Sequence, residues 1–168
     1  MVTAAHCYDD TEYIAYQPAP PREVGFIDAR ALYYNDSSDY PMDAAVIGLD
    51  YVEPAYYLAD GNGGLGELIR GYRSWEWTYD SQFTNTEIHR QGATTGRCSG
   101  DLVSATEFGE GKEVIIDTPR DGGDSGGPYF HRDDGDAYIV AIHRGPVNND
   151  QHAMGPAISY IMDFFDLI

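Results

Sequence analysis

The segment 117–130 reads DTPRDGGDSGGPYF and places four glycines and two prolines around one Asp–Ser pair, Asp124 and Ser125. It lies between the strand-like sequence EVIID and a further apolar run. A simple chain reversal needs only one or two such residues. The glycine density therefore predicts a loop that holds a defined backbone shape, in which Gly123 and Gly126 let successive N–H groups point into one cavity.

A serine hydroxyl is a weak nucleophile, so Ser125 would need a base within hydrogen-bond reach and donors for the oxyanion. GDSGG also fits the G-x-S-x-G turn of α/β-hydrolases. That turn leads directly into a helix, whereas the GGP after Ser125 opposes a helix. The α/β-hydrolase order also needs Asp and then His after the serine. Asp136 and His152 are formally available, but the short remaining chain leaves no room for a parallel sheet.

The opposite order is available upstream, where VTAAHC contains His6 and YPMDAAVIGLD contains Asp43. Asp39 is a rival carboxylate, but Pro41 makes it a turn residue, whereas Asp43 opens the strand-like AAVIGLD. At VTAAHC and GDSGGP the chain closely resembles the chymotrypsin-like serine proteases. HRQGATTGRCSGDLV further resembles the bacterial, streptogrisin-like branch of that family.

This resemblance implies a serine endopeptidase that acts on peptide or protein substrates without a metal or cofactor. His6 would take the proton of Ser125, Asp43 would orient His6, and an acyl-enzyme would form and be hydrolysed. The N–H groups of Gly123 and Ser125 would bind the oxyanion. Asp124 would be a structural acid beside the serine.

The resemblance also bears on the substrate pocket. Trypsin-like members carry an aspartate six positions before the serine, where this chain has Pro119, so trypsin specificity has no support. Asp121 is closer to Ser125 and is a weak candidate for binding a basic substrate side chain. AIHRG resembles the IH-x-G of glutamyl endopeptidases, whose histidine meets the substrate carboxylate. His143 is therefore either such a ligand, with cleavage after Glu or Asp, or a structural histidine. Arg144 and Gly145 would lie near the substrate backbone.

The composition is strongly acidic, with 28 Asp and Glu against 10 Lys and Arg and a formal charge of −18. Phosphate backbones would be repelled, which argues against nucleic acid as a partner. The charge is spread along the chain, which favours a solvated acidic surface suited to high salt over an acidic tail or a calcium site. No run approaches the length of a membrane span. The family resemblance implies an extracellular, secreted protein, and we expect a monomer.

Cys7 and Cys98 are too few for a disulfide framework and lack the spacing of a zinc site, while a single bridge between them stays open. Members of the resembled family carry several tens of residues before TAAHC. We therefore favour a fragment over a trimmed lobe whose open edge is covered in another way, and we expect the first barrel to be incomplete. The alternative function is a catalytically inactive homologue that binds peptides or proteins through the same cleft.

Many short apolar or alternating runs, separated by turn signals, predict an all-β fold. With the resemblance, we expect two antiparallel six-stranded β-barrels, the first incomplete. The N-terminal lobe would span 1–62 and carry the histidine and aspartate, and the C-terminal lobe would span 63–168 and carry the serine and the specificity pocket. Helical apolar spacing from about Ser159 predicts one short C-terminal helix.

Overall fold

The computed structural model describes residues 1–7, 14–16, 23–31, 42–49, 57–59, 65–108, 111–147 and 152–167. β-strands dominate these residues, so the predicted all-β class is confirmed. The strands are β1 (Val2–Thr3), β2 (Ile14–Tyr16), β3 (Glu23–Ala31), β4 (Ala44–Leu49), β5 (Tyr57–Ala59), β6 (Leu65–Tyr72), β7 (Glu87–Gly92), β8 (Gly96–Phe108), β9 (Gly111–Ile116), β10 (Pro128–Asp133), β11 (Asp136–Ile142), β12 (Gly145–Val147) and β13 (His152–Pro156). The helices are α1 (Trp75–Ser81) and α2 (Ile158–Phe164), and a 3-10 turn spans Ala5–Cys7.

The smaller sheet contains the described strands of the N-terminal region. Its order is β1-β4-β3-β2, and every pair is antiparallel. The apolar sequence of β4 buries Ala44, Ala45 and Ile47, because successive apolar residues suit a strand covered on both faces. Asp43 immediately precedes β4 and is therefore held where a buried strand begins.

The larger sheet has nine strands in the order β12-β13-β9-β8-β7-β10-β11-β6-β5. β11 and β12 are separated by only His143 and Arg144. The same segment of chain therefore pairs with β10 through β11 and with β13 through β12, although these strands are far apart in the sheet order. A bridge between Ala141 and Ala157, and a 2.9 Å hydrogen bond from the Arg144 N–H to the Met154 carbonyl, join its two sides. The sheet thus closes into a six-stranded barrel of β7–β10, β13 and the combined β11 and β12.

Alternating side chains of the barrel strands fill its interior. Ile88, Val114, Ile116, Tyr129 and Val140 are fully buried there. β6 lies beside this barrel and pairs with β11 in parallel, and β5 pairs with β6. The predicted lobe boundary after residue 62 lies outside the described residues, and the division into 1–62 and 63–168 stays a prediction.

The C-terminal helix is present as predicted, since α2 spans Ile158–Phe164. Its residues Ile158 and Ile161 pack with Ile142 of the barrel, and with Met42 and Ala44 before and at the start of β4 in the smaller sheet. This cluster joins the two sheets through α2. No helix in the described ranges is long and apolar enough to cross a membrane.

Helix α1 is absent from the sequence prediction, which expected one helix, at the C-terminus. The structure ends β6 at Tyr72 and begins α1 at Trp75. Ser74 caps the helix, since its side chain accepts a 3.3 Å hydrogen bond from the Trp77 N–H. Aromatic residues favour strands in isolation, but here the cap and the buried faces of Trp75 and Thr78 favour the helix.

Candidate active site

The loop before β10 has the backbone shape that its glycines predict. Gly123 and Gly126 have φ angles of +94° and +84°, a region that side-chain-bearing residues rarely adopt. The Gly126 N–H donates to the His143 carbonyl at 2.8 Å, and the His143 N–H donates to the Gly127 carbonyl at 2.8 Å. A Cβ at Gly126 would collide with the Thr3 hydroxyl of the smaller sheet. The loop holding Ser125 is therefore fixed against both sheets.

The structure brings His6, Asp43 and Ser125 together. His6 Nδ1 lies 2.5 Å from Asp43 Oδ2, and His6 Nε2 lies 2.9 Å from Ser125 Oγ. The His6 backbone N–H donates to the other Asp43 oxygen, Oδ1, at 2.9 Å. Two hydrogen bonds to one buried carboxylate fix both the position and the tautomer of the imidazole, and leave Nε2 free to accept the serine proton.

The two partners of Ser125 come from the smaller sheet and its edge. His6 lies in the 3-10 turn Ala5–Cys7, which is anchored by the fully buried Ala4 and Ala5. Asp43 is only 4% exposed, because it directly precedes the buried strand β4. The rival Asp39 lies outside the described residues. The serine and its partners therefore belong to different sheets, and the site depends on how these sheets pack.

Asp124, the neighbour of Ser125, is 1% exposed and anchors the loop. Its Oδ2 lies 2.9 Å from Arg90 Nη2, and both side chains are fully buried. Its carboxylate also accepts hydrogen bonds from the N–H groups of Thr94, Thr95 and Asp121 at 2.9, 3.0 and 2.9 Å. Burial alone would raise the pKa of Asp124, but these N–H donors outweigh it and hold the pKa at about 2.

Arg90 is the main site residue that the sequence motifs did not indicate. It donates to the Pro119 carbonyl and to Thr95 Oγ1 as well as to Asp124, and its Nε and Nη1 have no partner within the described part of the chain. The sequence TEIHRQG does contain a pattern that predicts a buried Arg90. Ile88, Arg90 and Gly92 alternate onto the buried face of β7, and a buried arginine requires a carboxylate partner.

His143 lies in the wall beside the serine loop and is 2% exposed. Its Nδ1 lies 2.6 Å from the hydroxyl of Tyr129, and the two rings meet edge to face. Burial, followed by the positive charge of Arg90, lowers the pKa of His143 to about 4. At neutral pH His143 is therefore an uncharged imidazole that has one donor and one acceptor nitrogen.

Arg144 and Gly145, the other residues predicted to bind substrate, follow His143 along the chain. Ser125 Oγ lies 3.4 Å from the Arg144 carbonyl, while the Arg144 guanidinium turns to Glu113 Oε1 at 3.1 Å and Met154 Sδ at 3.1 Å. Gly145 pairs with Met154 at the start of β12 and has open space where a Cβ would lie. The Arg144 side chain thus contacts β9 and β13 on the face opposite the core residues Val114 and Ala153.

Residues of the alternative hydrolase order are placed elsewhere. Asp136 pairs with Arg70 at 2.7 Å, and His152 Nδ1 lies 3.7 Å from Asp117. Neither contacts Ser125 in the described structure. Cys7 and Cys98 are both free thiols, so the bridge left open by the sequence is not formed.

Neither the family models nor the curated proteins contain a match to this chain. Solved structures do match. Chymotrypsin from Cellulomonas bogoriensis aligns with a TM-score of 0.64 at 17% identity, over 98% of this chain and 82% of that chain. Protease A from Thermobifida fusca aligns with a TM-score of 0.60 at 18% identity, over 98% of this chain and 81% of that one. The resemblance drawn from the sequence is confirmed for the fold: this chain has the chymotrypsin-like two-barrel β fold.

Proposed function

We propose that this chain is a serine-type endopeptidase. The single observation that carries the proposal is the hydrogen-bonded series Asp43, His6 and Ser125, with 2.5 Å and 2.9 Å between successive partners. These distances lie within the reach that a nucleophile and its base need.

In the proposed reaction Ser125 Oγ attacks the peptide carbonyl while its proton passes to His6 Nε2. Asp43 stabilises the resulting imidazolium through the bond to Nδ1. The protonated Nε2 then delivers the proton to the leaving amine, which leaves an acyl group on Ser125. A water molecule, deprotonated by the same nitrogen, hydrolyses this ester and restores the serine.

The N–H groups of Gly123 and Ser125 are proposed to bind the oxyanion. Most other N–H groups of this loop already donate hydrogen bonds: those of Asp121, Gly122, Asp124, Gly126 and Gly127. Gly123 and Ser125 donate none to any described residue. Two free donors beside the nucleophile are what a developing oxyanion requires.

We further propose that the enzyme cleaves after acidic residues. Pro119 provides no carboxylate to attract a basic side chain, whereas Arg90 makes the region around His143 electropositive. A substrate carboxylate would be attracted by this potential and would hydrogen-bond to the His143 ring. His143, Arg144 and Gly145 would form this wall of the substrate site. We propose a secreted enzyme for salty surroundings, because the −18 charge repels itself least in high salt.

The test is labelling with a fluorophosphonate probe in low and in molar salt, followed by cleavage of peptides that differ only in Glu or Gln before the scissile bond. We expect labelling of the parent and none of Ser125→Ala, with a strong decrease in His6→Ala. Preferred cleavage after Glu would support the acidic preference, and equal cleavage after Gln would remove it. Peptide binding without labelling or turnover would instead favour an inactive homologue.

A further inference from the structure

Tyr129 and His143 form a buried polar pair beside the loop that carries Ser125. Tyr129 is fully buried and His143 nearly so, and 2.6 Å separates the phenolic oxygen from Nδ1. At this distance a single proton lies between the two atoms, and either partner can be the donor. The choice determines which nitrogen of His143 carries the proton, and therefore what the other nitrogen offers to a substrate.

Nε2 is the ring nitrogen left for a substrate. It has no hydrogen-bond partner among the described residues, whereas Nδ1 is held by Tyr129. The backbone N–H of His143 donates to Gly127, and its carbonyl accepts from Gly126, both within two residues of Ser125. A substrate side chain that enters beside Ser125 would meet this imidazole.

The surroundings favour the phenol as the donor. Burial raises the pKa of Tyr129, so the phenol keeps its proton at all ordinary pH values. The nearby Arg90 cation favours negative charge on the phenolic oxygen and opposes positive charge on His143. The first effect polarises the O–H bond of Tyr129 toward Nδ1, and the second keeps the proton on the phenol instead of on a charged imidazole.

Resting on the proposed acidic preference, we propose that Tyr129 is a positioning residue for substrate selection. Its hydroxyl donates to His143 Nδ1 and holds the neutral ring with the proton on Nε2, as a hydrogen-bond donor to the substrate carboxylate. The opposite tautomer would present a lone pair at Nε2 and repel that carboxylate. Tyr129 thus influences substrate preference by orienting His143, which contacts the substrate carboxylate, and does not contact the substrate directly.

The charged groups around His143 determine how this arrangement responds to pH. Arg90 on β7 and Arg120 on the serine loop oppose protonation of the ring, as does His6 once it is charged, and Asp124 favours protonation. In the free protein the ring titrates well below neutrality. A substrate carboxylate at Nε2 would favour the charged ring, so acidic substrates should bind with increasing proton uptake as the pH falls toward 4.

The first test measures the tautomer directly and needs no turnover. The imidazole ¹⁵N spectrum of the labelled parent at pH 7 should show His143 with a bare Nδ1 and a protonated Nε2. Tyr129→Phe, which removes only the hydroxyl, should yield a mixture of tautomers. A parent spectrum with the proton on Nδ1 overturns the proposal even if the protein is inactive.

The second test compares Glu and Gln peptides in the parent, Tyr129→Phe and the matched control Tyr79→Phe, which makes the same change on exposed α1. We expect Tyr129→Phe to decrease kcat/KM for the Glu peptide about tenfold, mainly through KM, with little change for the Gln peptide. Fluorophosphonate labelling should be unchanged. Equal losses on both peptides would show a structural role only and overturn the proposal.

The two proposals fail in different ways. A parent that cleaves Glu and Gln peptides equally contradicts the acidic preference itself. A parent that prefers Glu, together with a Tyr129→Phe variant that keeps the same preference, contradicts only the role of Tyr129.

Discussion

Removal of one partner from the buried pair of Asp124 and Arg90 should strongly destabilise the serine-bearing barrel. Both side chains are fully buried, and Arg90 Nη2 lies 2.9 Å from Asp124 Oδ2. The substitution Asp124→Asn keeps the size of the side chain but leaves the guanidinium without its counter-charge. Removal of one partner from such a pair costs about 3–5 kcal/mol, because the remaining charge stays buried.

The lowered pKa of Asp124 gives a second measure of how much the ionised carboxylate stabilises the fold, and it determines how this stabilisation changes with pH. A decrease from the usual value of 3.8 to about 2 corresponds to about 2.4 kcal/mol of stability at pH 7. Because the folded pKa is lower than the unfolded one, this contribution is complete above the unfolded pKa and is lost as the pH falls through the folded pKa. About half of it should remain at pH 3.

The assay is urea unfolding of the parent, Asp124→Asn and the control Asp101→Asn, at pH 7 and pH 3 in the same salt. Asp101 is exposed on β8, so its substitution removes a charge without uncovering a buried cation. We expect Asp124→Asn to lower the free energy of unfolding by about 2–5 kcal/mol at pH 7 and by clearly less at pH 3. A loss no larger than that of Asp101→Asn, or one independent of pH, would refute the reasoning.

Three further predictions concern the loop, the salt response and the base. Gly126→Ala should lower the unfolding free energy by more than about 2 kcal/mol and abolish labelling, because it adds a clash with Thr3 to the strain of φ +84°. The control Gly135→Ala, at φ +86° in open space, should cost only about 1–2 kcal/mol, and equal losses in urea unfolding would contradict this prediction. The melting temperature should rise from low salt to molar KCl, because salt screens the charge of −18; a flat response would contradict the proposed adaptation to salt. Asp43→Asn should lower kcat about 10⁴-fold at nearly constant KM, measured on the best peptide, since the imidazole would lose its anionic partner; a loss below tenfold would contradict the role of Asp43.

Local patterns predicted much of this structure. The glycines around Ser125 are read from sequence because their positive φ values are a property of single residues. The apolar run after Asp43 likewise predicts the buried strand that holds it. Motif resemblance then selected His6 as the partner of Ser125, although 119 residues separate them along the chain.

Features that depend on distant contacts could not be predicted in this way. The parallel pairing of β6 with β11 joins segments about 70 residues apart and leaves no local periodicity. Helix α1 depends on the cap at Ser74 and on burial of Trp75, which outweigh the strand preference of its aromatic residues. The partner of Tyr129 depends on how β10 and the end of β11 meet, which the sequence does not state.

Arg90 connects two parts of the site that a motif-based interpretation treats separately. Through Asp124 it holds the backbone beside Ser125, and its charge adds to the burial that lowers the pKa of His143 and keeps the ring neutral. A substitution at Arg90 would therefore change the position of the proposed nucleophile and the potential of the proposed substrate pocket together. Because Tyr129→Phe leaves the Arg90–Asp124 pair intact, it separates the two effects: a change in substrate preference at constant labelling must then come from His143.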